Sequence, residues 1–358
     1  MKHGPLLTFF ASSLLMLNSC KNDDTLPSAI PEDNSTTRAA ILSDISSHVI
    51  AATYAEMSSK AAEFEVQIVQ LQGVRTDANL NACRTKWREI RAAWEQSEGF
   101  LFGPVATENI DPRIDTWPVN HSDLDSILST SVVFDDSYID GLQDALKGFH
   151  PIEYLMFGVD GAKAASALTD RELDFLHELS KNLKALTVQV ASNWTVGSGS
   201  YYIAFTKAGN GSVVYTTQRA AFEELVDAIV GICDEVGGGK IAAPFDAMDP
   251  TLEESPYAKN SLADFRHNMM SVRNIYTGKF NTDGKGLEDF VRVHNLSLDA
   301  TIKQQLTDAI NSLDAIPVPF GEAIITQRPL VQQSINKIEA LKTTLESGLL
   351  PLVQLKIQ

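Results

Sequence analysis

Cysteine is scarce in this chain, with only Cys20, Cys83 and Cys233 among 358 residues. One disulfide is arithmetically possible, but no disulfide framework is, and a zinc site built on cysteines is excluded by the count. Cys83 and Cys233 each fall on an apolar stripe of helical period, which predicts buried free thiols. Basic charge is also short. The formal net charge is -17, from 29 Lys and Arg against 46 Asp and Glu. No basic patch carries interleaved aromatics, so the composition excludes a nucleic-acid partner. Missing too are any series of alternating strands, a nucleotide-binding glycine motif and a complete HExxH zinc motif. His177-Glu178-Leu179-Ser180-Lys181 starts like the last of these, but Lys181 cannot be its second ligand.

Long apolar runs are limited to the N-terminus. Met1-Lys2-His3 is followed by an apolar stretch from Leu6 to Leu17. That is too short for a membrane-spanning helix, which needs about 20 residues, and it has the form of a signal peptide. The stretch closes on Leu17-Asn18-Ser19-Cys20, which resembles a bacterial lipobox. We therefore expect a signal peptide over 1–19, cleavage before Cys20 and lipid attachment at Cys20. The polar segment that follows cannot bury enough apolar surface to order itself, and is expected to be a tether over 20–38. Lys21-Asn22-Asp23-Asp24 resembles the charged signal that sends some bacterial lipoproteins to the cell surface. The expected location is the cell envelope, as an outer-membrane lipoprotein on the periplasmic face or the cell surface, with the membrane as a partner through the anchor.

The remaining residues exceed one comfortable hydrophobic core. Their apolar pattern is helical. Leu80, Cys83, Trp87, Ile90 and Trp94 step by 3, 4, 3, 4, as do Leu176, Leu179, Leu183, Leu186 and Val190. Helices are predicted over 35–71, 80–94, 122–129, 136–157 with an interruption near Pro151, 176–190 and 213–236, the last ended by Gly237-Gly238-Gly239. Others are predicted at about 259–278 (capped by Asn260 or Ser261), 285–294, 298–315 and 329–349. Gly197-Ser198-Gly199-Ser200 and Gly209-Asn210-Gly211-Ser212 break the pattern, and Tyr201 to Phe205 between them could form a short strand. The expected fold class is all-α: two helical-bundle domains with a cleft between them, over 39–196 and 213–358.

Histidine and carboxylate recur three residues apart at His150/Glu153, Asp174/His177 and Asp264/His267, about the number that chance supplies, so spacing alone singles out none. Context singles out His150. In Lys147-Gly148-Phe149-His150-Pro151-Ile152-Glu153-Tyr154, Pro151 cannot continue a helix without losing a hydrogen bond. A helix break beside an imidazole and a carboxylate can host a site. The alternative is structural, with Pro151 opening a new helix and Glu153 capping its amides. The functional reading requires both side chains to point together toward an opening.

Gly148-x-His150-x-x-Glu153 resembles the signature motif of the imelysin family. The likeness extends to Trp87 through Pro104, to Ile114-Asp115-Thr116-Trp117-Pro118, to Gly239-Lys240-Ile241 and to Glu254 through Phe265. Ala258 and His267 depart from the pattern, and His267 is not carried over as a ligand. The resemblance implies an exported protein of two related helical bundles with the motif in a cleft near where they meet. It implies His150 and Glu153 as metal ligands, and Arg91, Glu98, Asp115, Trp117, Asn260 and Asp264 as cleft residues. It also implies iron or another divalent metal as the bound cofactor or cargo, and iron-transport components as partners.

Three functions remain open at this stage. The first is capture of iron, another divalent metal or a metal-bearing ligand as part of iron uptake; an imidazole with carboxylates suits such ions. The second is a metallopeptidase, as the family is catalogued, although the residues do not display a three-ligand set with a separate base. The third is a metal-free surface for a peptide or glycan, with Trp117, Trp94, Tyr154 and Phe149 as apolar contacts. A single HxxE argues against an oxidase-type di-iron centre.

Overall fold

The computed structural model describes residues 32–358, with Met1 and Gly4. The expected signal peptide, Cys20 and most of the tether lie outside the described residues. Asp33–Gln358 forms one compact unit. Every regular element among the described residues is helical, as the all-α reading expects, and none is long and apolar enough to cross a membrane.

The helices form where the apolar period demands. Thr76 caps the helix Asp77–Glu95 through Asn79 N–H, and its stripe Leu80, Cys83, Trp87, Ile90 and Trp94 is fully buried. Thr169 and Glu172 make a capping box that starts Asp170–Asn193. Ala52–Gly73 lies between these two helices and packs on both. In the second half, Gln218–Asp234, Ser261–Thr277, Leu296–Asp314 and Arg328–Thr344 pack on one another. The halves meet where Ser261–Thr277 lies against Asp77–Glu95, and where Gln218–Asp234 lies against the turn Glu98–Phe100. Gly99 permits that approach, since a Cβ there would sit 2.6 Å from Ser271 Oγ.

Three expectations are corrected. Ser200–Thr206 is a helical turn, not a strand; Phe205 stacks on Phe102 and meets Trp194 edge-on, and the described residues contain no strand that could pair with it. The glycine triplet does not end its helix. Glu235–Ile241 continues it as a π-helical turn into Ala242–Ala247, a type of insertion often found at functional sites. The break near Pro151 lies earlier, between Asp140 and Phe149. Pro151 falls in the first turn of Phe149–Phe157, where its missing N–H removes no helical bond.

Candidate metal centre

Arg88, Arg91, Glu95 and Glu98 step by 3, 4 and 3, so they form a second stripe beside the apolar one, and this stripe faces the other half of the molecule. Arg88 donates to Ala258 O at 3.0 Å. Arg91 is fully buried. Its guanidinium sits 2.6 Å from Glu95 Oε1, 2.7 Å from Glu254 Oε1 and 3.4 Å from Asp264 Oδ1, and it also pairs with Asp115. Phe149 lies under its plane, 5.1 Å away.

Gly148 delivers the histidine. Its φ of +81° is unfavourable for side chains, and a Cβ there would meet Ile114 O at 2.2 Å. Glycine therefore lets the segment 110–115 lie directly against the start of the motif helix. His150 Nε2 then donates to Asp115 Oδ1 at 3.0 Å, and Nδ1 donates to Glu153 Oε2 at 3.2 Å. Burial alone would lower the imidazole pKa, but these two carboxylates outweigh it and raise it to about 9. Burial likewise opposes ionisation of Asp115, but Arg91 and His150 hold its carboxyl below the usual range. Trp94 Nε1 donates to Asp115 Oδ2 at 2.6 Å, so an aromatic expected only to pack also fixes this acid.

Glu153 faces both halves. One oxygen accepts from His150; the other accepts from Ala258 N–H at 2.7 Å. It does not cap its own helix. Lys240, placed by the π-helical turn, reaches Glu98 at 2.7 Å, Glu254 at 2.9 Å, Glu235 at 3.5 Å and Glu95 at 3.9 Å. Asn268 Nδ2 donates to Glu95 Oε2 at 2.6 Å and to Glu98 Oε2 at 2.8 Å. Burial drives Glu95 and Glu98 well above the normal carboxyl range, each aided by neighbouring acids. Burial also raises Asp264 to about 6.

Of the residues singled out in the sequence, His150, Glu153, Arg91, Glu98, Asp115 and Asp264 converge. Asn260 reaches the cluster's edge, where its Nδ2 donates to Asp264 Oδ1 at 2.7 Å; it occupies the N-cap position without capping. Trp117 is half-buried and makes no hydrogen bond to the cluster. The requirement that His150 and Glu153 point together toward an opening is only half met: they are hydrogen-bonded to one another but are 1% and 0% exposed, so the open-cleft site expected at this pair is ruled out and His150 can act only within a closed, buried cluster. Glu95, Lys240, Glu254 and Asn268 were missed. Their signal was present as charge on the same face as Arg91, and as Lys240 and Glu254 inside the segments that carry the family resemblance.

Buried here are the carboxylates of Glu95, Glu98, Asp115, Glu153, Glu254 and Asp264, against Arg91, Lys240 and the His150 imidazolium. Donor atoms of Asp115, His150 and Glu254 lie within 4.8 Å of one another, as do those of Glu95, Glu98, Asp115 and Glu254. Glu254 Oε2 is buried with no hydrogen-bond partner among the described residues. Such an excess of acid in a dehydrated site is costly unless protons or a further cation offset it. Glu153 belongs to neither donor set. The side toward solvent is marked by Lys240 and its neighbour Glu235, whose side chain is 58% exposed.

The imelysin family model matches residues 50–347. Iron-regulated protein A of Synechococcus elongatus is 31% identical over 313 residues, covering 86% of this chain and 84% of that protein. Two crystal structures share the fold. One, described as an iron-regulated protein A precursor from Parabacteroides distasonis, has a TM-score of 0.81 and 24% identity, covering 91% of this chain and 96% of that one. The other, an imelysin-like protein from Psychrobacter arcticum, has a TM-score of 0.72 and 13% identity, covering 90% and 97%.

Proposed function

Because this chain belongs to the imelysin family, we propose that it binds iron or a similar divalent metal in the buried cluster, and serves iron uptake at the cell envelope. The observation that carries the reading is the surplus of buried carboxylate around Arg91 and Lys240, with Glu254 Oε2 left without a partner. The iron-related names of the relative and of one structural neighbour agree with it. Asp115, His150 and Glu254 are the proposed ligands, a hard set suited to iron. Glu153 is proposed to hold the His150 ring by its Nδ1–H, as carboxylates commonly do behind a metal-bound imidazole. Lys240 and Glu235 mark the proposed route to solvent.

The burial of this cluster argues against peptide cleavage, because a scissile bond would have to enter a space closed by both halves. The envelope location, the lipid on Cys20 and iron-transport partners belong to the same proposal. Loss of labelled acyl incorporation in Cys20→Ser tests the anchor.

The metal is tested on the compact unit Asp33–Gln358 by elemental analysis and titration with ferrous, ferric and zinc ions. His150→Ala, Asp115→Asn and Glu254→Gln are expected to weaken binding by more than tenfold, and Glu153→Gln by about 10- to 100-fold. Retention unchanged across all four variants refutes the site. Chelator-sensitive cleavage of an unstructured substrate would instead support a peptidase.

A further inference from the structure

An open hollow of about 710 Å³ lies between the two halves, and none of the six buried carboxylates lines it. That is the size of a small-ligand pocket. Pro118 from the first half, with Pro250 and Pro256 from the second, stiffens its walls. Val159 and Leu252 also line it, one from each half, and are 77% and 40% exposed. Apolar surface from both halves is thus left in water at one place. The aromatic wall is fixed by its own contacts. The Tyr257 hydroxyl and His121 Nε2 share a hydrogen bond of 2.6 Å. The rings meet edge-to-face, with centroids 4.5 Å apart for His121 and Tyr154 and 5.2 Å apart for Tyr154 and Tyr257. Among the described residues no lysine or arginine lines the hollow. Burial raises the pKa values of Tyr154, Tyr257 and Glu253, and the charged neighbours that add to it are all acids: Asp125 and Glu172 around Tyr154, Glu153 near Tyr257, and Glu153 and Asp264 near Glu253. A negative field over aromatic faces attracts cations and repels anions. Apolar walls with few polar groups disfavour a small, strongly hydrated cation, which would lose its water without replacement.

We propose that this hollow binds an organic ammonium ion, an amine or quaternary ammonium carried on an apolar body, with the charge against the rings of Tyr154 and Tyr257 and the body against Val159 and Leu252. The site is separate from the buried acids and does not depend on the metal-binding reading. Aromatic faces hold such ions through the ring quadrupole, and most strongly where water is partly excluded. The same field rejects an anionic ligand of equal size. A free amine and a lysine side chain of another protein share this chemistry, and the test separates them.

The test is calorimetric titration of the compact unit Asp33–Gln358 with a chelator present, so that no metal ion takes part. The probes are benzyltrimethylammonium, its neutral counterpart benzyl alcohol, the anion phenylacetate and the capped tripeptide acetyl-Leu-Lys-Leu-amide. Benzyltrimethylammonium should bind about tenfold more tightly than benzyl alcohol, and phenylacetate should not bind. Tyr257→Leu should weaken the ammonium about tenfold by removing one ring face. Val159→Lys changes an exposed side chain, so it keeps the test decisive if Tyr257→Leu fails to fold. It should weaken the ammonium about tenfold by setting a like charge at the rim, and leave benzyl alcohol nearly unchanged. Tighter binding of the tripeptide than of the free ion supports the site and assigns it to a protein partner. Equal affinity for the ammonium and the alcohol, tighter binding of phenylacetate, or an ammonium affinity unchanged in Val159→Lys overturns the proposal. No binding of either cation at millimolar concentration overturns it as well. Metal retention, measured separately, is untouched by any of these results.

Discussion

Replacing Arg91 by methionine should be among the most damaging single changes available to this protein. Methionine keeps most of the apolar stem but removes the charge, leaving Glu95, Asp115, Glu254 and Asp264 buried without the guanidinium that now pairs with all four. Removing one partner of a buried ion pair costs about 3–5 kcal/mol, because the remaining charge is left uncompensated. With a guanidinium chloride slope of about 5 kcal/mol/M, the unfolding midpoint should fall by about 0.6–1 M at pH 7.5. The sign of the pH dependence follows from linkage. Without Arg91 the folded carboxyls have pKa values raised above their unfolded ones, so the folded state binds extra protons and loses stability as pH rises. The deficit should therefore shrink at pH 5, where those acids take up protons. Arg91→Lys, which keeps the charge but loses the fork, should cost less. Denaturation followed by circular dichroism at both pH values is the assay. A deficit below about 1 kcal/mol at pH 7.5, or one that widens on acidification, would show that Arg91 does not neutralise this cluster.

Three further outcomes are expected. Gly148→Ala combines an unfavourable φ with a clash against Ile114, so it should destabilise by more than about 2 kcal/mol and weaken metal retention by displacing Asp115 from His150; a stable variant with full retention would contradict the close approach. His267 is held neutral, burial lowering its pKa to about 4. Between about pH 6.5 and 4 the unfolded chain therefore holds more protons, and up to about 3 kcal/mol of stability disappears as pH falls through that window; His267→Gln should flatten this acid limb, and an unchanged limb would exclude the residue. The Cys83 and Cys233 thiols are buried and free, and burial raises Cys83 to about 12. Both should be silent to a thiol reagent in native protein and react fully in denaturant; fast native reaction would show that these helices open.

The sequence by itself determined the long helices, because a helix declares its buried face locally; the short strand, the helix end at the glycine triplet and the break at Pro151 were misread where that period fails. The stripe from Leu80 to Trp94 and the stripe from Leu176 to Val190 each lie within one element, and all ten side chains are buried as their spacing predicts. The motif around His150 was legible for the same reason, since Gly148 and Pro151 mark a helix start within four residues. What the spacing hid was the partner of each charge. Glu254 and Lys240 are 163 and 149 positions from Arg91, and no local period links them. Only the packing of Ser261–Thr277 against Asp77–Glu95 sets Lys240 among Glu95, Glu98 and Glu254, and turns Glu153 toward Ala258 N–H. Burial was decided there as well: a carboxylate beside a histidine reads the same in sequence on a surface or in a core, and the second layer of helices alone makes this one dry.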